Sequence, residues 1–160
     1  MEKKRQKKWT IAKVLLIMAF LFPVAGTNVA SAGNLGDSAY YATVANIYQG
    51  YSQYYGALAI LNGSNTYQYY AYEYMYNARL YMDDAWYYAG WASGDYAYYA
   101  YIYADDAYYL YYDAEDYAWA AYYYGSTTYS LYALYLGGLG SQYGVIAEYY
   151  AAIGSNGGYY

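Results

Sequence analysis

The sequence predicts an all-α fold in which four long helices rich in Tyr and Ala form an up-down four-helix bundle or stacked helical hairpins. The first observation behind this prediction is the regular spacing of glycines along the chain. Gly63, Gly94, Gly125 and Gly154 each lie beside a capping residue and are 31, 31 and 29 residues apart. The segments between them have the length of long helices, about 40 Å at 1.5 Å per residue.

The second observation is the placement of the acidic residues, which decides between helix and strand. Tyrosines from Tyr67 to Tyr76 alternate as they would in a strand, and Tyr has a high strand propensity. The adjacent acids Asp83 and Asp84, however, would point to opposite faces of a strand. Glu73, Asp84, Asp95 and Asp106 recur every 11 residues, which is three helical turns, so only a helix keeps them on one stripe.

The first element is predicted to be a cleaved secretory signal peptide, residues 1–32. A basic run through Lys8 precedes an apolar run from Val14 to Ala25, and Ala30-Ser31-Ala32 supplies the small residues before cleavage. The apolar run of about 12 residues is shorter than the roughly 20 that a membrane-spanning helix needs. We therefore expect a secreted or cell-envelope protein whose mature chain does not span the membrane.

The rest of the chain is predicted to form a single helical domain, residues 33–153. Its helices are expected at about 37–61, 65–92, 95–124 and 127–153, separated by the glycine turns. Each glycine inside a helix costs roughly 1 kcal/mol relative to Ala, so the cluster in 137–141 predicts a break in the fourth helix. Residues 154–160 are expected to be a flexible tail.

Charge and composition exclude several classes of function. Residues 33–160 contain all 36 tyrosines, eleven acidic residues and one basic residue, Arg79, which gives them a formal charge of −10. Such a chain repels nucleic acid and anionic lipid. It also contains no His and no Cys, so it lacks an imidazole base, a thiolate nucleophile and the usual zinc ligands. We predict a protein that is not an enzyme and has no cofactor or metal site.

The tyrosines are the candidate functional residues, because a bundle of this size buries only about a dozen large side chains. Tyrosines three or four residues apart on one helix face are predicted to mediate self-association: Tyr67, Tyr70, Tyr74, Tyr98, Tyr101, Tyr108, Tyr111 and Tyr112. An acidic stripe is predicted to remain solvated: Asp84, Asp95, Asp105, Asp106, Asp113 and Asp116.

These features favour a structural protein that self-associates through its tyrosine faces into a surface layer, fibre or matrix, with oxidation or cross-linking of tyrosine as a means of hardening it. The partner would be another copy of the chain, in a homo-oligomer or polymer. Two alternatives remain open. One is an exported binding module that presents aromatic platforms to glycans or aromatic small molecules, and the other is a β-rich fibre nucleated around residues 67–76 or 96–103.

Overall fold

A computed structural model describes residues 33–155, so the predicted signal peptide and residues 156–160 of the predicted tail lie outside the described residues. Four helices account for the regular structure of this region: α1 (Asn34–Asn62), α2 (Asn65–Gly90), α3 (Asp95–Tyr124) and α4 (Thr127–Ser155). Residues 33–155 include no strand, which confirms the all-α prediction. Residues 67–76 lie in α2 and residues 96–103 lie in α3, so the β-rich alternative is wrong for both segments.

Glycines with positive φ separate the helices. Gly63 and Gly125 end α1 and α3 in the left-handed conformation, with φ of 62° and 63°, where a side chain would be strained. Gly94 precedes α3 with φ of 99°. Gly154 differs, because it lies inside α4 and not in a turn. A Cβ there would be 2.6 Å from Leu35 Cδ1, so this glycine allows α4 to pack closely against the start of α1.

Each helix packs against two neighbours, and the diagonal pairs barely touch. The Ser38 hydroxyl donates to the Ala85 carbonyl, and the Ser52 hydroxyl donates to that of Ala71, at 2.8 and 2.7 Å. From the first of these hydrogen bonds to the second, the residue number increases along α1 and decreases along α2. The two helices are therefore antiparallel. Because α4 packs along α1 as well as α3, the four helices close into a bundle and do not continue as an open array of hairpins.

The core is built almost entirely from small side chains. Nineteen of the 23 buried apolar residues in the described region are alanine. On α2 and α3 these alanines recur every seven residues, the spacing of helices that pack through a common seam, whereas on α1 and α4 Ser, Gln and Gly share the core positions with Ala. On α2 one such row is Ala71, Ala78 and Ala85, and on α3 one row is Ala100, Ala107, Ala114 and Ala121. Alanine lets helix backbones approach closely, so the large side chains must lie outside the core.

Tyr111 is the one tyrosine at a core position among residues 33–155, and it explains Gly140 of α4. Its side chain is completely buried. A Cβ on Gly140 would lie 2.6 Å from the Tyr111 ring, and one on Gly144 would lie 2.5 Å from Asn46 Oδ1 and 3.3 Å from the Tyr111 hydroxyl. The break predicted within 137–141 is therefore wrong, since α4 is continuous from Thr127 to Ser155. The close packing that glycine permits offsets its low helix propensity.

Replacement of Gly140 by Ala tests this explanation. The added methyl group would collide with the Tyr111 ring, so we expect the free energy of unfolding to fall by about 1 to 3 kcal/mol in chemical denaturation. This loss would occur although Ala favours a helix by about 1 kcal/mol. Gly90→Ala is the matched control, because its Cβ would meet Tyr101 at an ordinary 3.4 Å. Equal stability of the two variants would contradict the explanation.

Candidate self-association surface

A continuous row of tyrosine rings fills the groove between α1 and α2. We call it the α1–α2 ladder, and its rings are Tyr41, Tyr48 and Tyr55 from α1 and Tyr67, Tyr74, Tyr81 and Tyr88 from α2. All seven are half-buried. The rings alternate between the helices with centroids 5.2 to 6.3 Å apart, and Tyr55 and Tyr74 are nearly parallel at 3°. Offset stacking of this kind stabilises a pair by about 0.5 to 1.5 kcal/mol beyond its buried area.

A similar row lies between α3 and α4, on the opposite side of the bundle. Tyr103 stacks between Tyr143 and Tyr150, with centroids 6.2 and 5.7 Å away. Tyr117 packs against Tyr129 at 6.1 Å towards the other end. Steps of seven residues along α3 and α4 lead from the tyrosines at one end of this row to those at the other and pass through Leu110 and Leu136. Leucine therefore takes the place of tyrosine in the middle of this α3–α4 ladder.

The groove between α2 and α3 combines aromatic rings with an ion pair. Trp86 contacts Tyr101 and Tyr108, with centroids 5.5 and 6.5 Å away. The Arg79 guanidinium donates to the Glu115 carboxylate, and the side chains of both residues are only about 15% exposed. Burial alone would lower the pKa of Arg79, but hydrogen bonding to Glu115 and the charge of that carboxylate outweigh burial and raise it. The only base of residues 33–160 is thus paired within the bundle.

The groove between α1 and α4 is polar and contains no tyrosine row. Asn46 Nδ2 donates to the buried Glu148 carboxylate at 3.2 Å, and the Tyr111 hydroxyl donates to Asn46 Oδ1 at 3.0 Å. Burial raises the pKa of Tyr111, although a hydrogen bond with Ser141 lowers it in part. Gln49 is fully buried, and neither polar atom of its amide has a hydrogen-bond partner within residues 33–155. This groove joins the helices by hydrogen bonds in place of ring stacking.

The tyrosines predicted for self-association have different environments. Tyr70, Tyr98, Tyr101 and Tyr112 are exposed, at 42%, 61%, 36% and 47%. Tyr67, Tyr74 and Tyr108 are half-buried among rings of the neighbouring helix. Tyr111 belongs to the core, so it is not part of any surface. Its spacing from Tyr108 and Tyr112 suggested a common face, but position 111 falls in the row that otherwise contains alanine.

The predicted acidic stripe lies on α2 and α3. Asp84, Asp95, Asp106, Asp113 and Asp116 are exposed, and Asp105 is half-buried. Partial desolvation by neighbouring side chains raises the pKa of the Asp84 and Asp105 carboxyls, and the charges of the adjacent Asp83 and Asp106 raise these pKa values further. These two carboxyls therefore lose their charge at a higher pH than an ordinary Asp when the solution is acidified.

The exposed surfaces of α1 and α4 differ sharply from those of α2 and α3. After Asp37, in the first turn of α1, no charged residue occurs until Glu73, and the only charged residue after Asp116 is the buried Glu148. These two helices nevertheless expose large apolar side chains, among them Ile47 at 53% and Tyr135 at 64%. Sequence reasoning missed this asymmetry, although the two long uncharged intervals in the sequence indicate it.

An open cleft of about 430 Å³ lies at the turn between α2 and α3. Ala89, Gly90, Ala92, Gly94 and Ala97 form its floor, and the rings of Tyr98 and Tyr101 border it. Small residues and two aromatic rings together line this concave region. It has the size of a small-molecule site.

Among residues 33–155, no three or more acidic side chains lie close enough together to hold a metal ion. None of the four described helices combines the length and the apolar character that a bilayer crossing requires. The chain matches no protein-family model, no curated protein sequence and no solved structure.

Substitutions at Tyr48 test whether the α1–α2 ladder stabilises the fold. Tyr48 lies between Tyr74 and Tyr81, so Tyr48→Ala should lower the free energy of unfolding by about 2 kcal/mol. Tyr48→Leu should lower it by less than about 1.5 kcal/mol, because leucine occupies the equivalent positions of the α3–α4 ladder. Tyr109→Ala is the control, since Tyr109 is 60% exposed. If the two alanine variants unfold alike, the ladder does not stabilise the bundle.

A double substitution tests the Arg79–Glu115 pair. Arg79→Leu leaves a largely buried carboxylate without its partner, so we expect thermal and chemical denaturation to show a loss of about 3 kcal/mol. The double variant Arg79→Leu/Glu115→Leu removes both charges and should recover most of this loss. If the double variant lowers the free energy of unfolding by as much as the two single variants together, the two side chains contribute to stability independently.

Proposed function

We propose that this chain is a secreted, non-enzymatic structural protein whose copies self-associate through exposed tyrosine-rich faces into a surface layer, fibre or matrix. The observation that carries the proposal is the amount of aromatic surface the bundle leaves uncovered. Twenty-one tyrosines within residues 33–155 are exposed, and they occur on all four helices. Soluble monomers rarely expose contiguous apolar surface on this scale.

The chemistry of tyrosine suits such association. Its ring buries a large apolar area, and its hydroxyl still forms hydrogen bonds with water or with a partner. Interfaces are enriched in this residue for the same reason. The ladders indicate how two such faces would meet, since rings from neighbouring helices already interdigitate within one bundle at centroid distances near 5 to 6 Å. The basic and apolar leader supports export, where a layer or matrix would form.

The acidic residues supply the control of assembly in this proposal. With a charge of −10 outside the leader, copies repel one another at neutral pH and low salt. Acidification would remove charge from Asp84 and Asp105 at a higher pH than from an ordinary Asp, because their carboxyls have raised pKa values. Both lie on the acidic α2–α3 side of the bundle, so association through that side should increase as the pH falls.

Oxidative coupling would harden the assembly. Two exposed phenols on different copies would each lose one ring hydrogen, and a carbon–carbon bond would form between their rings. The two electrons and two protons would reduce one hydrogen peroxide, supplied with a peroxidase, to two waters. Tyr98 and Tyr123, 61% and 66% exposed, are suited to this reaction. The half-buried rings of the α1–α2 ladder are less accessible to another copy.

Light scattering on protein purified after expression of the full-length chain tests the proposal. The mass should increase with concentration and should rise to large species between about pH 8 and pH 4, as carboxylates with reference pKa values near 4 become protonated. The variant Asp84→Asn/Asp105→Asn should begin this rise at a higher pH, because two of the repelling charges are already absent.

Two further measurements complete this test. Asp37→Asn, in the first turn of α1, is the control that removes a charge away from α2 and α3, and it should move the transition less than the double variant does. After treatment with peroxide and peroxidase, a fraction of the assembled protein should stay associated in denaturant. A constant monomer at every concentration and pH would overturn the proposal.

The cleft bordered by Tyr98 and Tyr101 favours a second candidate function, an exported module that binds glycans or aromatic small molecules. Sugars stack on exposed aromatic rings, and this cleft offers two rings beside a floor of small residues. The exposed tyrosines are nevertheless spread over all four helices and are not gathered around the cleft. This distribution favours assembly, whereas a constant monomer together with saturable binding of soluble oligosaccharides would favour the binding module.

A further inference from the structure

One side of the bundle combines large exposed apolar side chains with an absence of charge beyond the half-buried Asp37 in the first turn of α1. We call it the neutral face and define it by Tyr40, Ile47 and Tyr54 on α1 and Leu131, Tyr135 and Tyr149 on α4. Each of these side chains is between 44% and 64% exposed. Two of the three exposed large aliphatic residues in the described region, Ile47 and Leu131, belong to it.

The neutral face is on the outer side of two adjacent helices. Asn46 contacts α4, Tyr48 contacts α2, and Ile47 lies between them, so its side chain points away from the bundle. Tyr40 and Tyr54 are seven residues from Ile47 and share its side of the helix. Tyr135 and Tyr149 are likewise separated by two steps of seven residues, so they share one side of α4. Because α1 and α4 are neighbours, their outer sides form one surface.

We infer that the neutral face binds the same face of a second copy of this chain and forms a two-fold dimer, the unit from which the larger assembly grows. The inference rests on the proposed function, because it names the surface and the partner of the self-association proposed above. A two-fold contact places identical patches against each other, and a patch without charge can meet itself without electrostatic repulsion. No other side of the bundle has this property.

The distribution of charge selects a second copy as the partner. The α2 and α3 helices carry nine of the eleven acids, so two copies that met through them would bring like charges together. In the dimer through the neutral faces, the α1 and α4 helices of both copies separate the two acidic sides. Two layers of helices, each about 10 Å thick, exceed the Debye length of about 8 Å at physiological salt.

The size of the neutral face is adequate for a dimer. An aromatic side chain buries about 150 to 250 Å² when fully covered, so six side chains that are each about half exposed present roughly 600 Å². A standard interface needs about 800 Å² from each partner. The half-buried apolar residues of the same helices, such as Leu58 and Ile146, would supply part of the remainder.

A pair of double variants tests the inference by sedimentation at neutral pH. Ile47→Glu/Leu131→Glu places two charges on the neutral face, and Leu80→Glu/Tyr87→Glu places two charges on the outer side of α2, where the native residues are 37% and 55% exposed. Both variants have the same net charge. We expect the wild-type chain and the α2 variant to be dimers, and we expect the neutral-face variant to dissociate with a dissociation constant raised about 100-fold or more.

A second measurement does not depend on the folding of the charged variants. Since the chain has no Cys, single cysteines report proximity without background. Ile47→Cys should give a covalent dimer with a short thiol cross-linker, whereas Leu80→Cys should not.

The outcomes separate this inference from the proposed function. If the neutral-face variant self-associates as the wild type does, or if both cysteine variants cross-link equally, the inference is wrong. A wild-type chain that is monomeric at neutral pH but forms large species in acid also contradicts the dimer while it leaves the proposed function intact. A wild-type chain that is monomeric under every condition overturns both.

Discussion

Close approach of the helices, which alanine at the core positions permits, is the constraint on which the rest of this structure depends. When a core row consists of single methyl groups, the backbones come near one another and no room remains inside for an aromatic ring. The tyrosines are then forced to the grooves and the outer surface. There they form the two ladders, and the aromatic surface that motivates the proposal of self-association is a direct result of the small core.

This arrangement changes where the stabilising free energy arises. A core of alanine buries little apolar area per residue, so it contributes less than a core of leucine would. The half-buried rings of the α1–α2 ladder add buried area and stacking at the edges of the helix contacts. Tyr111 is the exception, because glycines on α4 make the space for a ring inside the bundle. Its hydroxyl donates to Asn46, so the one aromatic side chain of the core also connects to the polar groove.

The fold was predictable from the sequence to a greater extent than the surface was. Glycines at positions 63, 94 and 125 located the turns, because positive φ restricts those positions chemically. The observed helices differ from the predicted bounds by at most three residues. The continuity of α4 through its glycines was not predictable, because helix propensity describes an isolated helix, whereas Gly140 is required by Tyr111 of another helix.

For the same reason, the spacing of the tyrosines alone could not place Tyr111 in the core and Tyr112 on the surface. The sevenfold repeat of alanine and tyrosine carried that information, but the shorter spacing of neighbouring tyrosines concealed it.

The same sevenfold repeat raises the question of register. If α3 slid by one repeat along α2, alanines would again face alanines, and the stacked layers would look nearly the same. Repetitive sequences of this kind pair ambiguously unless a few unlike positions select one alignment. Arg79 with Glu115 can meet in only one alignment of α2 and α3, and Tyr111 with Gly140 can meet in only one alignment of α3 and α4. These irregular residues interrupt the repeat, and they give a nearly periodic chain a single folded structure.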